Sequence, residues 1–459
     1  MIKDKPVRFA LFGAGTRGEL DLGYFFKKNR KKLQYWAVAE PDPVRRKYFV
    51  ERFKIPEENI FKDWKDLLEK PKLADAIINA LPCRMHHEST IAALKAGYDV
   101  LLEKPIAHTP GECVHLYNAS KKYKQKLAVV FENRYNKIYQ ETKRLLERGV
   151  IGRLMNVTCD ESIGYFHYIL SYVRGIHSRA EEGNSFMIAK GIHDTDLLTW
   201  FIGAKASKIS SFGDLSFFTE ENAPIGAPER CTEDCPVQEE CIFDAMKQYY
   251  KPGRMSIPLK LALSQSLKDL VDVIRDKRFR TLASTITRDL SKSNILKVLQ
   301  EGSHGKCVFH SDNGVCDHQT TSIEYENGVT VSFSLSAFSL IWERLLDFRG
   351  SKGEINSKDF SGQLELRTYN PAKIKKKRIR FRGLHHGGGD EYLLLDFARA
   401  VQSDDPNEKS LTDIKNCIES HLIALAAEEA RLSDKVINME TFRRKANEEA
   451  HTLANKKTI

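Results

Sequence analysis

The 459-residue sequence lacks several features that would place it in other classes of protein. It has no apolar run approaching the ~18–20 residues that a membrane-spanning helix needs, which argues against an integral membrane protein. A first strand can begin by Val7, which leaves no room for a cleaved signal peptide, so we expect a cytoplasmic protein. No internal repeat and no low-complexity tract interrupts the chain, which argues against repeat and disordered architectures.

The sequence contains nine cysteines, an odd number, and we recognise no export signal in it. A disulfide framework is therefore not expected, and most cysteines are predicted to be buried thiols. One cluster has spacings of x3 and x5 and could gain a fourth thiolate from a distant position: Cys231, Cys235, Cys241 and Cys307. Because these spacings are not the usual x2, both a structural zinc site and buried or redox-labile thiols stay open for this cluster.

Positive charge is in excess, with a formal net charge of +10. Lysine and arginine are scattered along the chain, which favours a basic enzyme over a nucleic-acid binder. One basic cluster covers residues 373–382, and its last five residues, from Arg378 to Arg382, alternate basic and apolar. This alternation predicts a strand with one basic, solvent-exposed face.

Short apolar runs alternate with helical patterns over residues 1–130. Strands are predicted at 7–12, 35–39, 74–80 and 99–102, and helices at 17–28, 43–53, 66–70 and 90–96. Such alternation is typical of a parallel sheet covered by helices on both faces. The sequence therefore predicts an N-terminal Rossmann domain, a doubly wound parallel sheet, over residues 1–130.

The pattern changes after about residue 130. Strands of a second, largely antiparallel sheet are predicted at 320–325, 329–337 and 374–382, and helices at 141–148, 392–402 and 414–431. Residues 215–300 fit neither sheet and are interpreted as an insertion that holds the cysteine cluster and a basic, helix-like segment. Residues 131–459 are therefore predicted to form a C-terminal α/β domain, so that the whole chain has an α/β fold.

A glycine-rich turn follows the first strand and opens a helix, with Gly13, Gly15 and Gly18 in G-x-G-x-x-G spacing. The first glycine permits the tight turn, the second lets backbone approach a pyrophosphate, and the third lets helix and strand pack closely. Glu40 ends the second strand, where a carboxylate accepts hydrogen bonds from the adenosine ribose and repels a 2′-phosphate. The pattern predicts NAD, with NADP less favoured; a glycine turn that binds no nucleotide is the alternative.

Lys104 follows the strand at 99–102, within Glu103-Lys104-Pro105. Ligands of open α/β sheets bind at the carboxyl ends of the strands. A lysine at this position could contact substrate and nicotinamide ribose together.

At these residues the sequence resembles the Gfo/Idh/MocA oxidoreductases. The resemblance is firm over about 1–205 and recurs near 307–355 and 384–400. Its motifs are Leu81-Pro82 with His86, residues 92–97, Glu103-Lys104-Pro105, Asn133-Arg134-Tyr135, residues 149–152 and residues 191–200. Residues 187–194, 317–319 and 386–390, together with the cysteine cluster, resemble the branch of StrI-type cyclitol and sugar dehydrogenases.

The resemblance implies a Rossmann domain followed by an α/β domain whose open sheet carries the substrate pocket and often the subunit contacts. A homodimer or homotetramer is therefore expected, with a small sugar or cyclitol as substrate and with neither a nucleic acid nor a membrane as partner. The implied cofactor contacts are the phosphate-loop residues Gly13, Gly15, Thr16, Arg17 and Gly18, then Glu40, Leu81, Pro82, His86, Glu103, Lys104 and Arg134. The resemblance implies that Lys104 and His193 are catalytic. Lys190, which stands where the sequence departs from the family pattern, is predicted to assist acid/base chemistry or to supply charge to the substrate. The predicted substrate contacts are Tyr135, Lys190, His193 and His386.

The chemistry assigned to these residues is physically consistent. A histidine can take the hydroxyl proton while hydride leaves the carbinol carbon, and a nearby lysine can stabilise the developing alkoxide. No catalytic metal is needed for such a reaction. The glycine-rich run that follows His386 is interpreted either as a close approach of backbone to a ligand or as a flexible linker.

One departure from the family pattern keeps other functions open. Classical sugar and inositol dehydrogenases of this family carry an aspartate four residues before the histidine, and here that position is Ala189, followed by Lys190. Three hypotheses remain: an NAD-dependent dehydrogenase of a sugar or cyclitol, an NAD-dependent glycoside hydrolase or lyase that oxidises its substrate transiently, and a non-catalytic dinucleotide-binding regulator. Intact Lys104 and His193 argue against the regulator.

Overall fold

The computed structural model describes residues 5–179, 184–251, 282–340, 342–379 and 388–455. Two sheets organise these residues, one of six strands and one of nine. The strands of the first sheet are β1 (Val7–Phe12), β2 (Leu33–Ala39), β3 (Ile60–Phe61), β4 (Ala76–Asn79), β5 (Asp99–Leu102) and β6 (Leu127–Val129). Those of the second are β7 (Leu154–Gly164), β8 (Ala206–Asp214), β9 (His318–Tyr325), β10 (Thr330–Ser339), β11 (Glu343–Gly350), β12 (Gly353–Lys358), β13 (Gln363–Tyr369), β14 (Ala372–Arg378) and β15 (Ile437–Asn438).

The first sheet is parallel throughout and has the strand order β3-β2-β1-β4-β5-β6, which confirms the predicted Rossmann topology. Its central strands are buried on both faces, and β4 is buried at all four of its positions. This is why they appear in the sequence as continuous apolar runs. The predicted bounds of β1 and β5 are those observed, whereas β3 and β6 are too short to give a clear pattern.

Helices cover the first sheet and connect the strands of both. They are α1 (Gly23–Lys28), α2 (Pro43–Phe53), α3 (Trp64–Leu68), α4 (His86–Lys95), α5 (Pro110–Tyr123), α6 (Lys137–Glu147), α7 (Tyr165–Tyr168), α8 (Ile192–Ile202), α9 (Lys292–Glu301), α10 (Gly389–Gln402), α11 (Ile414–Ser433) and α12 (Met439–Asn455). A π-helical turn, Thr16–Leu22, leads into α1. No helix in the ranges given above is long and apolar enough to cross a bilayer.

The second sheet has the strand order β14-β13-β12-β11-β7-β10-β9-β8-β15. Every neighbouring pair is antiparallel except β7 with β10, which confirms the predicted mainly antiparallel sheet. Burial alternates strictly along β9, so that one face of the sheet is covered and the other is open. Such alternation is expected where only one face packs on a core.

Two less regular segments were considered from the sequence. The edge strand β14 is exposed at all seven of its residues. The predicted alternation of basic and apolar residues concerned 378–382, and it stays a prediction. Residues 380–382 of that predicted strand lie outside the described residues. In the predicted insertion, residues 215–251 contain turns and short helical segments but no strand of either sheet, and α9 is its one α-helix within the described part.

The C-terminal helices return to the first sheet. Leu393 and Phe397 of α10 are fully buried against β1, where the rings of Phe397 and Phe9 lie 6.3 Å apart. Farther along, α12 packs along α5, and Asp413 forms an isolated bridge with Ala128 of β6. The boundary at residue 130 stays a prediction, but part of the segment 131–459 completes the core of the Rossmann sheet.

Truncation of Phe397 to alanine is expected to lower the free energy of unfolding by about 3–5 kcal/mol, because it leaves a cavity between α10 and β1. The matched control is Tyr392→Ala on the same helix, where the side chain is 44% exposed, with an expected change within about 0.5 kcal/mol. Urea denaturation of both variants measures the difference. Equal losses in the two variants would contradict the packing of α10 on the first sheet.

Candidate active site

The glycine-rich turn between β1 and the π-helical turn has the geometry of a phosphate-binding loop. Gly13 has a φ of +83°, and a Cβ there would lie 2.7 Å from the carbonyl oxygen of Ala80. A Cβ on Gly18 would lie 2.7 Å from the carbonyl oxygen of Gly13, so the third glycine permits the helix to pack closely. At Gly15, in contrast, a Cβ would meet no atom within 4 Å. The space above Gly15 is therefore open to a ligand, as a pyrophosphate requires.

Glu40 lies at the carboxyl end of β2 and is buried against this loop. Its Oε2 accepts a hydrogen bond from the backbone N–H of Ala14 at 2.7 Å, and its Oε1 accepts one from Asp42 at 2.9 Å. Each carboxylate oxygen has a second acceptor site, which leaves capacity for the two ribose hydroxyls. The neighbouring Arg46 donates to the backbone oxygens of Glu40 and Pro41. These residues fit NAD, and the negative charge of Glu40 opposes a 2′-phosphate.

Lys104 follows the carboxyl end of β5 and is fixed by a backbone contact. Its Nζ donates to the carbonyl oxygen of Ala189 at 2.8 Å. Burial lowers the pKa of Lys104 from its ordinary value to about 8, although the carboxylates of Glu103 and Glu132 oppose that shift. The lysine therefore changes its charge near physiological pH, which suits a group that moves or stabilises a proton.

His193 lies in the first turn of α8, beside a carboxylate that the sequence did not single out. Its Nδ1 is 3.7 Å from Oε1 of Glu132, and only 7% of His193 is exposed. Glu132 follows β6 and is itself buried, with 2% exposed. The predicted acid/base histidine is thus adjacent to a carboxylate supplied by a strand end of the first sheet.

Arg17 connects the phosphate loop to this carboxylate. Its guanidinium lies 2.7 Å from Glu103, 2.5 Å from Asp390 and 3.9 Å from Glu132. The surrounding carboxylates raise the pKa of Arg17 despite the opposing effect of burial. The predicted cofactor residues Arg17 and Glu103 are therefore brought together, through an ion pair with each other.

Lys190 belongs to a second charged network behind the site. Its Nζ lies 2.9 Å from Glu161 on β7, and the other oxygen of Glu161 lies 3.0 Å from Arg344 on β11. Arg344 also pairs with Asp194. Burial would raise the pKa of Glu161, but Arg344 and Lys190 outweigh it and lower that pKa. Burial raises the pKa of Asp194 to about 6 even beside Arg344.

Arg134 and Tyr135 were predicted to contact the cofactor and the substrate. In the structure, the polar groups of both side chains form hydrogen bonds with other residues of the protein. Arg134 forms a two-pronged ion pair with Asp196 at 2.7 and 2.8 Å. The hydroxyl of Tyr135 donates to Asp396 of α10 at 2.7 Å and contacts Ser410 at 3.0 Å. Both side chains therefore join α8 or the C-terminal helices to the end of β6, and their ligand contacts stay predictions.

The turn after β4 meets the Lys104 segment through His86. The two ring nitrogens of His86 lie 2.8 Å from the carbonyl oxygens of Leu81 and Pro105. Burial lowers the pKa of His86 to about 4. The imidazole thus links two loops at the carboxyl edge of the first sheet, and cofactor contacts of Leu81, Pro82 and His86 stay predictions.

The glycine-rich run before α10 approaches the site, although His386 lies outside the described residues. Gly388 has a φ of +87°, and a Cβ on Gly389 would lie 2.2 Å from the carbonyl oxygen of Glu132. Asp390 follows and pairs with Arg17. The backbone of Gly389 therefore packs against the backbone of Glu132, and the close approach of this run to a ligand stays a prediction.

Sequence reasoning missed four site residues: Glu132, Glu161, Asp390 and Arg344. A signal existed for Glu132, which directly follows the apolar run 127–131, as Lys104 follows β5. For the other three, no local pattern distinguishes the side chain from an ordinary charged residue.

The predicted thiolate cluster lies away from this site. No group of three or more His, Cys, Asp or Glu side chains is arranged around a single metal ion within the described ranges. All nine cysteines are free thiols. The four cysteines of the cluster do line one cavity, together with the buried Asp244.

Comparison with known proteins agrees with this geometry. Residues 7–131 match the model of the Gfo/Idh/MocA oxidoreductase family, described as having an NAD-binding Rossmann fold. Residues 7–131 are therefore the NAD-binding domain of a Gfo/Idh/MocA oxidoreductase. The predicted cofactor, NAD, is confirmed with the family.

Relatives and solved structures extend the likeness beyond the Rossmann domain. A Bacillus subtilis protein named as an oxidoreductase, YteT, is 24% identical over 78% of this chain and 81% of its own length. An inositol 2-dehydrogenase/D-chiro-inositol 3-dehydrogenase of Halalkalibacterium halodurans is 26% identical over 44% of this chain and 55% of its own. An Agrobacterium radiobacter oxidoreductase, solved with NAD+, L-tartaric acid and magnesium, covers 95% of this chain and 99% of its own with a TM-score of 0.64 at 14% identity. This last likeness shows the fold.

The substitution Glu40→Gln in this Gfo/Idh/MocA chain tests the cofactor preference. Removing the charge is expected to weaken NADH binding about tenfold and to strengthen NADPH binding, because hydrogen bonds to charged groups contribute ~1.5–3 kcal/mol. Fluorescence titration with both nucleotides measures the two dissociation constants. The control is Asp42→Asn, which alters the N-cap of α2 two residues later and should leave the ratio unchanged. An unchanged ratio in Glu40→Gln would refute the role of this carboxylate.

Proposed function

We propose that this oxidoreductase is an NAD-dependent dehydrogenase that transfers a hydride between the nicotinamide and a carbinol carbon of a sugar, sugar derivative or cyclitol. The observation that carries the proposal is the arrangement of Lys104, Glu132 and His193 at the carboxyl edge of the first sheet, beside the open space over Gly15. The relatives named above as inositol dehydrogenases support the substrate class. NAD supplies the hydride acceptor when bound.

Lys104 is proposed to stabilise the alkoxide that forms as the substrate hydroxyl loses its proton. Its burial strengthens a charge interaction with the substrate oxygen, because few water dipoles screen it. The contact with the carbonyl oxygen of Ala189 restricts where Nζ can lie. A pre-positioned ammonium is what such stabilisation needs, since no reorganisation is then required during the reaction.

His193 is proposed as the base that accepts the hydroxyl proton, with Glu132 as the group that positions it and stabilises its positive charge. In the family pattern, an aspartate one helical turn before the histidine has this positioning role. Here the corresponding residue is Ala189, which has no carboxylate. Glu132 lies 3.7 Å from Nδ1 of His193, so a carboxylate is available from another element. This arrangement removes the main objection to the dehydrogenase hypothesis.

Lys190 is proposed to orient a substrate oxygen rather than to transfer a proton. Its Nζ lies 2.9 Å from Glu161, and its side chain is still 21% exposed. A charged lysine is a poor base but a good hydrogen-bond donor. Tyr135 and His386 complete the predicted set of substrate contacts.

Replacing Lys104 by methionine is expected to lower kcat about 10²–10³-fold, the usual effect of removing one donor to a developing oxyanion. NADH formation is measured by absorbance over a panel of inositols, aminosugars, uronic acids and glycosides. The matched control is Lys95→Met, the same truncation at an exposed position of α4. A mutant that retains full activity on the best substrate would refute the role of Lys104. Cleavage of a glycoside without net formation of NADH would instead support the hypothesis of a glycoside hydrolase or lyase. Tight binding of NAD without turnover of any substrate would support the hypothesis of a non-catalytic regulator.

The pH dependence follows from the pKa of Lys104, about 8. The proposed role needs the ammonium form, which predominates below that pKa, so kcat/KM is expected to fall as pH rises through about 8. In Lys104→Arg the guanidinium stays charged, so the residual activity should lose that fall. A decline at the same pH in both proteins would show that another group is responsible.

The change Glu132→Gln tests the positioning role. It keeps the size of the side chain and removes the charge, so kcat is expected to fall about 10–100-fold with little change in KM. Asn133→Gln, at the adjacent position outside this pair, serves as control. A fall in affinity for NAD alone would contradict the role and assign Glu132 to cofactor binding. The cytoplasmic location and the homodimeric or homotetrameric state also stay proposals.

A further inference from the structure

A buried ion pair of the second sheet contacts the ammonium of Lys190. Arg344 of β11 is 4% exposed, and its register partner across β7 is Glu161, which is also 4% exposed. The Nη2 of Arg344 lies 3.0 Å from Oε2 of Glu161, and the Nζ of Lys190 lies 2.9 Å from Oε1 of the same carboxylate. The carboxylate of Glu161 therefore connects the arginine of the sheet to the lysine of the site.

The guanidinium of Arg344 has a fixed orientation, because its nitrogens have partners on several different elements. Its Nε donates to Asp194 of α8, and its Nη1 donates to the hydroxyl of Tyr139 of α6 at 2.9 Å. The same Nη1 lies 3.3 Å from Asp359, which directly follows β12. A planar guanidinium holds its acceptors in a rigid fork, so the carboxylate of Glu161 is held in place together with the others.

Lys190 also lies beside the reacting groups of the site. It belongs to the helical segment Met187–Gly191, in which the carbonyl oxygen of Ala189 accepts the hydrogen bond from Nζ of Lys104. Burial, and with it the positive charge of Lys190, lowers the pKa of Lys104. His193 follows three positions after Lys190, and residues three apart are neighbours on the surface of a helix. The ammonium of Lys190 and the imidazole of His193 therefore border the same space.

The ammonium of Lys190 can bind a substrate oxygen while it stays paired with Glu161. An ammonium has three N–H donors, and the pair with Glu161 engages one of them. The side chain of Lys190 is 21% exposed, so a ligand can reach it. Because His193 is proposed to bind the reacting hydroxyl, the nearest further oxygen of a sugar or cyclitol is the one on the adjacent ring carbon.

We propose that Glu161 and Arg344 are positioning residues that act through Lys190, and that the site thereby selects vicinal diols. The donor from Lys190 binds the oxygen on the carbon next to the reacting carbinol, and the ion pair behind it fixes the direction of that hydrogen bond. This inference rests on the proposed dehydrogenase function. A site built to hydrogen-bond a hydroxyl rejects an analogue that lacks it, because a protein donor is then left without a partner.

The test compares myo-inositol, D-glucose and D-glucuronate with their monodeoxy analogues, each of which lacks one ring hydroxyl. NADH formation gives kcat/KM, and NMR of the ketone product locates the oxidised carbon. For each substrate that is oxidised, we expect kcat/KM to be about 10–100-fold lower for the analogue without the adjacent hydroxyl, the usual effect of losing a hydrogen bond to a charged group. Equal turnover of a diol and that analogue by the unaltered enzyme would overturn the proposal.

The variant Glu161→Met separates positioning from a general structural role. Methionine has a similar size but no acceptor, so kcat/KM for the diol is expected to fall to the value for the deoxy analogue, which itself stays unchanged. The control is Asp160→Met, the adjacent residue of β7 on the opposite face of the sheet, and it should retain the preference.

The variant Arg344→Lys tests the other member of the pair. It keeps the charge but loses the rigid fork, so the preference for the diol is expected to fall in the same way. An equal loss of kcat/KM on diol and analogue in Glu161→Met or Arg344→Lys would show a merely structural role and overturn the positioning. So would a fully retained preference in either variant.

Two further measurements keep the proposal independent of folding and of activity. Circular dichroism checks that the variants are folded, and if Glu161→Met is not, Lys190→Met replaces it with the same expected results. Crystal structures of the unaltered protein and of a folded Glu161→Met report the position of Nζ of Lys190. We expect Nζ to be displaced in the variant, and an unchanged position would contradict the proposal. Absence of NADH formation with any polyol would instead contradict the dehydrogenase function, and the crystal structures would still decide the positioning.

Discussion

The buried guanidinium of Arg17 is the interaction on which the candidate site depends. Its carboxylate partners are the residue after β5 (Glu103), a residue three positions after β6 (Glu132) and a residue at the start of α10 (Asp390). Arg17 itself lies in the phosphate loop. Its side chain therefore connects that loop to the segments after β5 and β6, which carry Lys104 and Glu132. Loss of this guanidinium would leave three carboxylates close together without their shared cation, and such a loss is strongly destabilising where the charges are buried.

This arrangement explains how the site can lack the aspartate of the family pattern. At that position Ala189 contributes its carbonyl oxygen to Lys104, while the carboxylate near His193 comes from Glu132. The two lysines are thereby given different environments. Lys104 is partly buried and its pKa is lowered, which suits a group that interacts with a developing charge, whereas Lys190 is paired with Glu161.

Much of the site could be predicted from the sequence, because its signals are local. The glycine spacing, Glu40 at the end of β2 and Lys104 at the end of β5 all depend on a strand and the few residues after it. Glu132 has the same kind of position, directly after the apolar run 127–131, although β6 itself has only three residues and the signal was not used. Arg134 and Tyr135 were recognised as part of a motif. The motif did not reveal that the guanidinium of Arg134 pairs with Asp196 or that the hydroxyl of Tyr135 donates to Asp396.

The sequence alone determined the parallel Rossmann sheet, the second, mainly antiparallel sheet and the cofactor, and it singled out Lys104 and His193 as candidate reactive side chains. Hydrophobic periodicity and glycine conformation are properties of short segments, which is why they can be seen without the fold. Only the tertiary structure decided which charges meet: Arg17 and Asp390 are 373 positions apart, and Arg344 and Asp194 are 150 apart. It also decided that α10 completes the first sheet, because burial against β1 depends on the path of the whole chain and leaves no separate local pattern.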